Sequence, residues 1–285
     1  MLTAIICATD LSHRSARALE RAAQLAHQHR LPLHVIHVID PEIPESLWQA
    51  QGDQIKTEIR ETLNRVASTA LGEARIEILT GRPSMEIAVY AGAIKGSLLV
   101  LGYPRVSEGG NLSFASFSAG RILRTAMAPV LVVKGEANAP YRRVCVATDL
   151  SPYSARGAAL AAELVPDGEI TMIHAYHVPY KGFLTGEDTR QGCEESERKK
   201  LEKFVEDLRQ QREQGKEAPQ FLSTLHVREG EVHHVLRAEV KSSGAELLVL
   251  GTHGRTGLSR AFFGSIAEDM LATMPCDILI AVPND

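Results

Sequence analysis

Ala8-Thr9-Asp10-Leu11-Ser12, followed by Ser15-Ala16-Arg17, returns 139 positions later as Ala147-Thr148-Asp149-Leu150-Ser151, followed by Ser154-Ala155-Arg156. Eight of the ten aligned positions are identical. A second pair follows in the same order. Gly81 heads a segment that ends in Leu98-Leu99-Val100-Leu101-Gly102, and Gly230 heads one that ends in Leu247-Leu248-Val249-Leu250-Gly251, at an offset of 149. A repeat of that length is too long for a solenoid unit and is the size of a whole globular domain. The chain therefore carries two versions of one domain, expected over 1–136 and 140–285. Between them Lys134 to Tyr141, with Gly, Pro, Ala and Asn, reads as the linker.

Each copy opens on a short apolar run, Leu2–Ala8 and Arg143–Ala147. Ser12 and Ser151 stand at N-cap positions ahead of Ala- and Leu-rich helical stretches reaching about His29 and Leu164. Second strands follow at Leu33–Ile39 and Ile170–Tyr176, then polar helical stretches at Ser46–Leu71 and Glu187–Gly215. Third strands fall at Arg75–Leu79 and Leu222–Val227, helices at Ser84–Lys95 and Val232–Ser242, and fourth strands at Leu98–Leu101 and Leu247–Leu250. Fifth strands, Val130–Val133 and Ile278–Val282, each follow a proline, Pro129 and Pro275.

Continuously apolar strands alternating with helices specify a parallel sheet covered on both faces. The fold class is α/β: two tandem doubly wound domains, each a five-stranded parallel sheet flanked by helices and Rossmann-like in its winding. Open sheets of this kind bind ligands at the carboxyl ends of the strands, where strand order reverses. The loops after strands one, two and four are the places to search.

After the fourth strand of copy two comes Gly251-Thr252-His253-Gly254-Arg255-Thr256-Gly257, and then Gly264-Ser265 ahead of a helical run, Ile266–Met274. Glycines let a backbone approach a phosphate without a Cβ in the way. The N–H groups of a helix start, with the Ser265 hydroxyl, make an anion site. Taken alone, such a loop reads equally well as a plain structural turn. There is no Gly-x-x-x-x-Gly-Lys-Ser/Thr motif, and no Gly-x-Gly-x-x-Gly after strand one, so neither a P-loop nor a dinucleotide site is expected.

With Asp149, Gly251 to Arg255, Gly264-Ser265 and Pro275-Cys276, copy two resembles a universal stress protein domain of the nucleotide-binding branch. The likeness extends over nearly the whole chain as a tandem pair. It implies a fold akin to the adenine nucleotide alpha hydrolase group and an ATP-binding site (or ADP or AMP, with Mg2+ as a companion ion) in copy two. By that resemblance Asp149 holds the ribose hydroxyls, and the backbone near Ala175 meets the adenine edge. Gly251, Gly254, Gly264, Ser265 and Ile266 surround the phosphates; Thr148, Leu250 and His253 complete the cofactor-binding set, with His253 reading equally well as touching phosphate or as pointing to solvent. The implied function is a stress-response regulator or sensor.

Copy one departs from the pattern. Tyr103-Pro104-Arg105 follows Gly102, and Pro104 removes a backbone donor. Ser116-Phe117 stand where Gly264-Ser265 stand in copy two, adding a Cβ and a bulky ring. Asp10 without a phosphate cradle is weak support for a nucleotide, so one site per chain is expected.

No catalytic residue is assigned. Asp149 is the one clearly placed acid, and phosphoryl transfer needs more than that. The alternatives are a slow ATPase of the adenine nucleotide hydrolase group, or a copy one that binds a non-nucleotide ligand or a protein partner. No metal site is assigned, because His174 and His177 converge only if the chain turns between them, and His37 repeats His174 in copy one. Net charge is −4 without a basic block, which disfavours nucleic acid. No apolar run reaches membrane-spanning length and no secretory signal is apparent, so a cytoplasmic protein is expected. Cys7, Cys145, Cys193 and Cys276 read as reduced thiols. An intramolecular pseudo-dimer is expected, with further homodimerisation and an unidentified protein partner left open.

Overall fold

The computed structural model describes residues 1–39, 41–42, 45–66, 74–103, 118–178, 187–213, 223–251 and 264–282. Contacts divide the chain into two compact units, each α/β.

In unit 1 the strands β1 (Ala4–Ala8), β2 (Leu33–Ile39), β3 (Arg75–Thr80), β4 (Ser97–Gly102) and β5 (Val130–Val133) alternate with α1 (His13–His29), α2 (Glu45–Val66), α3 (Pro83–Ala93) and α4 (Ser118–Thr125). The strand order is β3-β2-β1-β4-β5, with parallel pairing throughout. The chain leaves β1 for β2 on one side and later returns to β4 on the other. The reversal therefore lies between β1 and β4, and the loops after both open at the same sheet edge. All five residues of β1 are buried, as are Leu98 to Leu101 of β4, which is why these strands read as unbroken apolar runs. Ser12 caps α1: its side chain accepts the Ser15 N–H. Buried Ala18, Leu19, Ala22, Ala23, Leu25 and Ala26 face that helix to the sheet, and their small size lets it lie close.

In unit 2 the elements are β6 (Arg143–Ala147), α5 (Pro152–Leu164), β7 (Glu169–Tyr176), α6 (Glu187–Glu213), β8 (Ser223–Glu229), α7 (Val232–Ser243), β9 (Leu247–Gly251) and α8 (Ser265–Thr273). Its strand order is β9-β6-β7-β8, all parallel, with the reversal between β6 and β9. Ser151 caps α5 through the Ser154 N–H, and Pro152 occupies the first turn, where no N–H is missed.

The last strand, β10 (Asp277–Ala281), groups by its contacts with unit 1. It runs antiparallel along β5, with Ile278 opposite Val132 and Ile280 opposite Val130. The sequence expectation counted this strand within copy two. Its placement follows from the edge it covers: β5 is Val-Leu-Val-Val and wholly buried, and an exposed apolar edge is a template for unwanted pairing.

Candidate functional site

The turn after the first strand is built the same way in both copies. Leu150 and Leu11 adopt left-handed backbone conformations, with φ of 64° and 61°. A non-glycine residue there costs on the order of 1 kcal/mol. Side-chain hydrogen bonds offset the strain. Leu150 N–H donates to Thr148 Oγ1 at 3.0 Å and Ser151 N–H donates to Asp149 Oδ1 at 3.1 Å. In copy one the corresponding distances, to Thr9 Oγ1 and Asp10 Oδ1, are 3.1 and 3.0 Å. Thr148 also shares a hydrogen bond with Ser154, as Thr9 does with Ser15, each at 2.9 Å. Burial pushes the Asp10 carboxyl up, but hydrogen bonds from Ser12 and Ser15 outweigh it and hold the group below its ordinary value. The repeated Thr-Asp-Leu-Ser is thus a turn-forming device first, and Asp149 earns a ligand role only from what surrounds it.

Six more of the expected residues join this turn at the sheet edge or open the neighbouring helix. Register places Val146 beside Val249, so Thr148-Asp149 and Leu250-Gly251 leave adjacent strands in the same direction. Ala175 lies two residues past the β6–β7 pair Ala147 and Ile173, at the end of β7. Gly264 is the N-cap of α8 and makes no side-chain cap hydrogen bond, while Ser265 and Ile266 begin the helix. Gly264 has no side chain with which to cap, and the first N–H groups of a helix have no acceptor within the helix itself. His253 and Gly254 lie outside the described residues, as do Thr252 to Phe263 as a whole.

The fourth-strand glycines differ between copies. A Cβ on Gly102 would lie 2.9 Å from the Arg14 carbonyl oxygen and 3.1 Å from Ser15 N, so close packing against α1 already requires glycine there. A Cβ on Gly251 would meet the Tyr153 and Ser154 backbone at 3.4 to 3.5 Å, an ordinary contact. Packing alone does not demand a glycine at Gly251.

His174 and His37 have the shared structural role that their matching positions imply. His174 Nδ1 lies 2.8 Å from Thr148 O, and His37 Nδ1 lies 2.9 Å from Thr9 O. The backbone carbonyl can only accept, so Nδ1 carries the proton in each. His174 is 5% exposed, and its Nε2 lies 3.3 Å from Glu197 Oε2 of α6. Burial pushes the Glu197 carboxyl up, but Lys200 and His174 hold it below its ordinary value. The long charged helix, a polar stretch in the sequence, thereby reaches the ligand edge of its own sheet. Among the described residues no group of three or more His, Cys, Asp or Glu side chains could hold a metal ion. Cys7, Cys145 and Cys276 are buried and in no disulfide, and burial pushes the Cys7 and Cys145 thiols up. No described helix is long and apolar enough to cross a membrane.

Sequence reasoning missed a buried cluster in unit 1. Asp277, at the start of β10, accepts the Lys134 and Gly135 N–H groups on Oδ1 at 2.8 and 3.0 Å. Arg21 of α1 brings Nε within 3.6 Å of Asp277 Oδ2 and donates to Ala139 O and Glu136 O at 2.8 and 3.1 Å. One arginine thus organises both the linker and the returning strand. An arginine among the alanines of α1 was the available signal.

The model of the universal stress protein family matches residues 1–134 and again 140–282. The chain belongs to the universal stress protein family. A universal stress protein of Methanocaldococcus jannaschii is 30% identical over 138 residues, which is 46% of this chain and 81% of that protein. The universal stress protein E homologue of Haemophilus influenzae is 44% identical over 59 residues, 21% of this chain and only 19% of the length of that relative. The crystal structure of a universal stress protein from Archaeoglobus fulgidus superposes with a TM-score of 0.69 at 18% identity, covering 98% of each chain. That likeness supports the tandem α/β fold over the full length. As a tandem member of the family the protein is one of the stress-response proteins.

Proposed function

We propose that unit 2 binds one adenine nucleotide per chain, ATP in the first instance, and that binding is the regulatory input of this universal stress protein. The observation that carries the reading is the convergence at the β6/β9 reversal. There an Asp-bearing turn and a glycine that packing does not require leave adjacent strands, within the unit whose helix α8 starts without a side-chain cap. In this reading the Asp149 carboxylate accepts from the ribose hydroxyls, and the backbone at Ala175 meets the adenine edge. Gly251 gives the polyphosphate close access, and the N–H groups of Ser265 and Ile266 with the Ser265 hydroxyl take its charge. Bound nucleotide supplies a triphosphate whose charge the helix N-terminus favours. His253 and Gly254 belong to the proposed site through the glycine loop, with Mg2+ as companion ion. No residue is assigned to proton transfer or nucleophilic attack, and the reading is of nucleotide binding with at most slow hydrolysis.

Isothermal titration with ATP tests this. One site per chain is expected, lost in Ser265→Phe and Gly264→Phe. Two equivalent sites would overturn the reading, as would undiminished binding in both variants.

A further inference from the structure

The duplication supplies an internal control for surface residues. With Gly81 aligned on Gly230, helix α3 aligns with α7. Copy two presents His234, Ala238 and Lys241 on the exposed face of α7, and Thr273 two residues ahead of Pro275. Copy one carries Met85, Val89, Gly92 and Met127 in the same places. Met85 is 61% exposed, Val89 66% and Met127 64%. These three and Met1 are the exposed large apolar side chains among the described residues.

The spacing of 85, 89 and 92 puts them in one row down the helix. A Cβ on Gly92 would lie 3.7 Å from Met127 Sδ, so Met127 extends the row without a gap. The opposite face of α3 is apolar as well, with Ile87, Ala88 and Ala91 buried. A helix apolar on every side belongs in an interior, and α3 has that composition at the surface.

The rim of this strip is basic. Arg82, Lys95, Arg121 and Arg124 surround it, all exposed. Among the described residues of the two helices and their flanks the one acid is Glu86, folded back against the Gly81 turn, where a Cβ on Gly81 would lie 2.5 Å from its Oε1. A surplus of positive charge here stands out in a chain of net charge −4.

We propose that the α3–α4 face of unit 1 docks an acidic amphipathic helix of a protein partner. Two copies of the chain meeting through this face would bring basic rim onto basic rim, so self-pairing is disfavoured. An anionic bilayer matches the charge, but three side chains bury too little apolar surface to hold one. A helix with apolar anchors at i, i+4 and i+7 matches the row and its spacing, and carboxylates flanking those anchors meet the arginines and lysine. Two of the three apolar contacts are methionines, whose flexible thioethers adapt to a partner's side chains.

The test uses the full chain and a fluorescein-labelled helical peptide of about 20 residues, long enough to form a helix. The peptide carries leucines at i, i+4 and i+7, glutamates at the positions flanking them and alanines elsewhere. A second peptide carries lysines in place of the glutamates, and vesicles containing phosphatidylserine form a third arm. Anisotropy is expected to report binding of the acidic peptide, weakened by salt, and no binding of the lysine peptide. Val89→Glu and Met127→Glu should each weaken binding at least about tenfold, with circular dichroism and melting unchanged, since both positions are exposed. Four results would overturn the proposal. They are no binding of the acidic peptide, binding that ignores both substitutions, equal binding of the lysine peptide, and vesicle co-sedimentation or self-association that Val89→Glu abolishes in place of peptide binding.

Discussion

Replacing Arg21 by Met removes the guanidinium and keeps the length of the stem, which isolates the charge from the packing. The magnitude follows from what each partner loses. Glu136 and Ala139 are exposed, so their carbonyls rehydrate and cost little. The cost falls on Asp277, whose side chain is 3% exposed and loses its ion-pair partner Arg21. Breaking a buried pair by removing one partner costs about 3–5 kcal/mol. Asp277 keeps its two backbone N–H donors, so the lower part of that range applies, about 3 kcal/mol. Asn in place of Asp277 retains an acceptor for those donors and carries no charge to strand. The double variant Arg21→Met with Asp277→Asn should therefore be more stable than Arg21→Met alone. Urea unfolding gives the stabilities. Exchange of the Lys134 and Gly135 amides reports the cluster itself, because those N–H groups end on Asp277. A loss below about 1 kcal/mol in Arg21→Met, in the range of a surface pair, would refute the reasoning. Single-variant losses that merely add in the double variant would refute it as well.

Gly102→Ala drives a Cβ into the α1 backbone and should cost about 1–3 kcal/mol. Gly251→Ala meets only ordinary contacts and should stay within about 0.5 kcal/mol of wild type while weakening ATP binding. Parallel melting and titration of the two variants check this, and equal destabilisation would remove the argument that packing spares Gly251. Lys134 holds its amine 4.5 Å from the centre of the Tyr103 ring, and burial lowers its pKa from 10.5 to about 8, against the opposing pull of Cys276 and Asp277. A base with a depressed folded pKa binds fewer protons folded than unfolded across that window, so its penalty is full below pH 8 and fades as pH rises towards 10.5. Lys134→Met should accordingly stabilise the protein at pH 7 and lose that advantage at pH 10.5, read from melting temperatures at the two pH values; a gain independent of pH would sink the assignment.

Much of the fold could be read from the sequence because the information was local. Apolar runs bounded by turn residues gave strands such as Leu33–Ile39 and Val130–Val133 with their observed bounds. Ser12 and Ser151 gave both caps because a cap needs only a side-chain oxygen three residues ahead of an N–H. The Asp-bearing turns and the Gly264-Ser265 helix start were legible for the same reason. What was not legible depends on partners distant in sequence. Asp277 and Arg21 lie at opposite ends of the chain, and no residue local to either one points to the other. The docking of α6 through Glu197 and His174 was hidden likewise, because the periodicity of a charged helix shows which face is apolar and not which exposed acid will find a buried imidazole.

The two copies separate what the fold needs from what a ligand or partner needs. Features present in both answer to the fold: the left-handed leucine, the Thr-Ser hydrogen bond beneath it, and the histidine on the turn carbonyl. Had Asp149 been read without Asp10 beside it, the carboxylate would have been credited wholly to a ribose. The comparison shows that it closes a turn even where Tyr103-Pro104 follows the fourth strand in place of a glycine loop. Function is then to be sought where the copies differ. They differ at the fourth-strand glycine, where Gly102 is held by packing and Gly251 is not, and on the third helix, apolar outside in copy one and polar in copy two. The differences fall on opposite copies. That division is what a chain would show if one domain received a small anionic ligand and the other presented its state to a partner, with the common fold left unchanged in both.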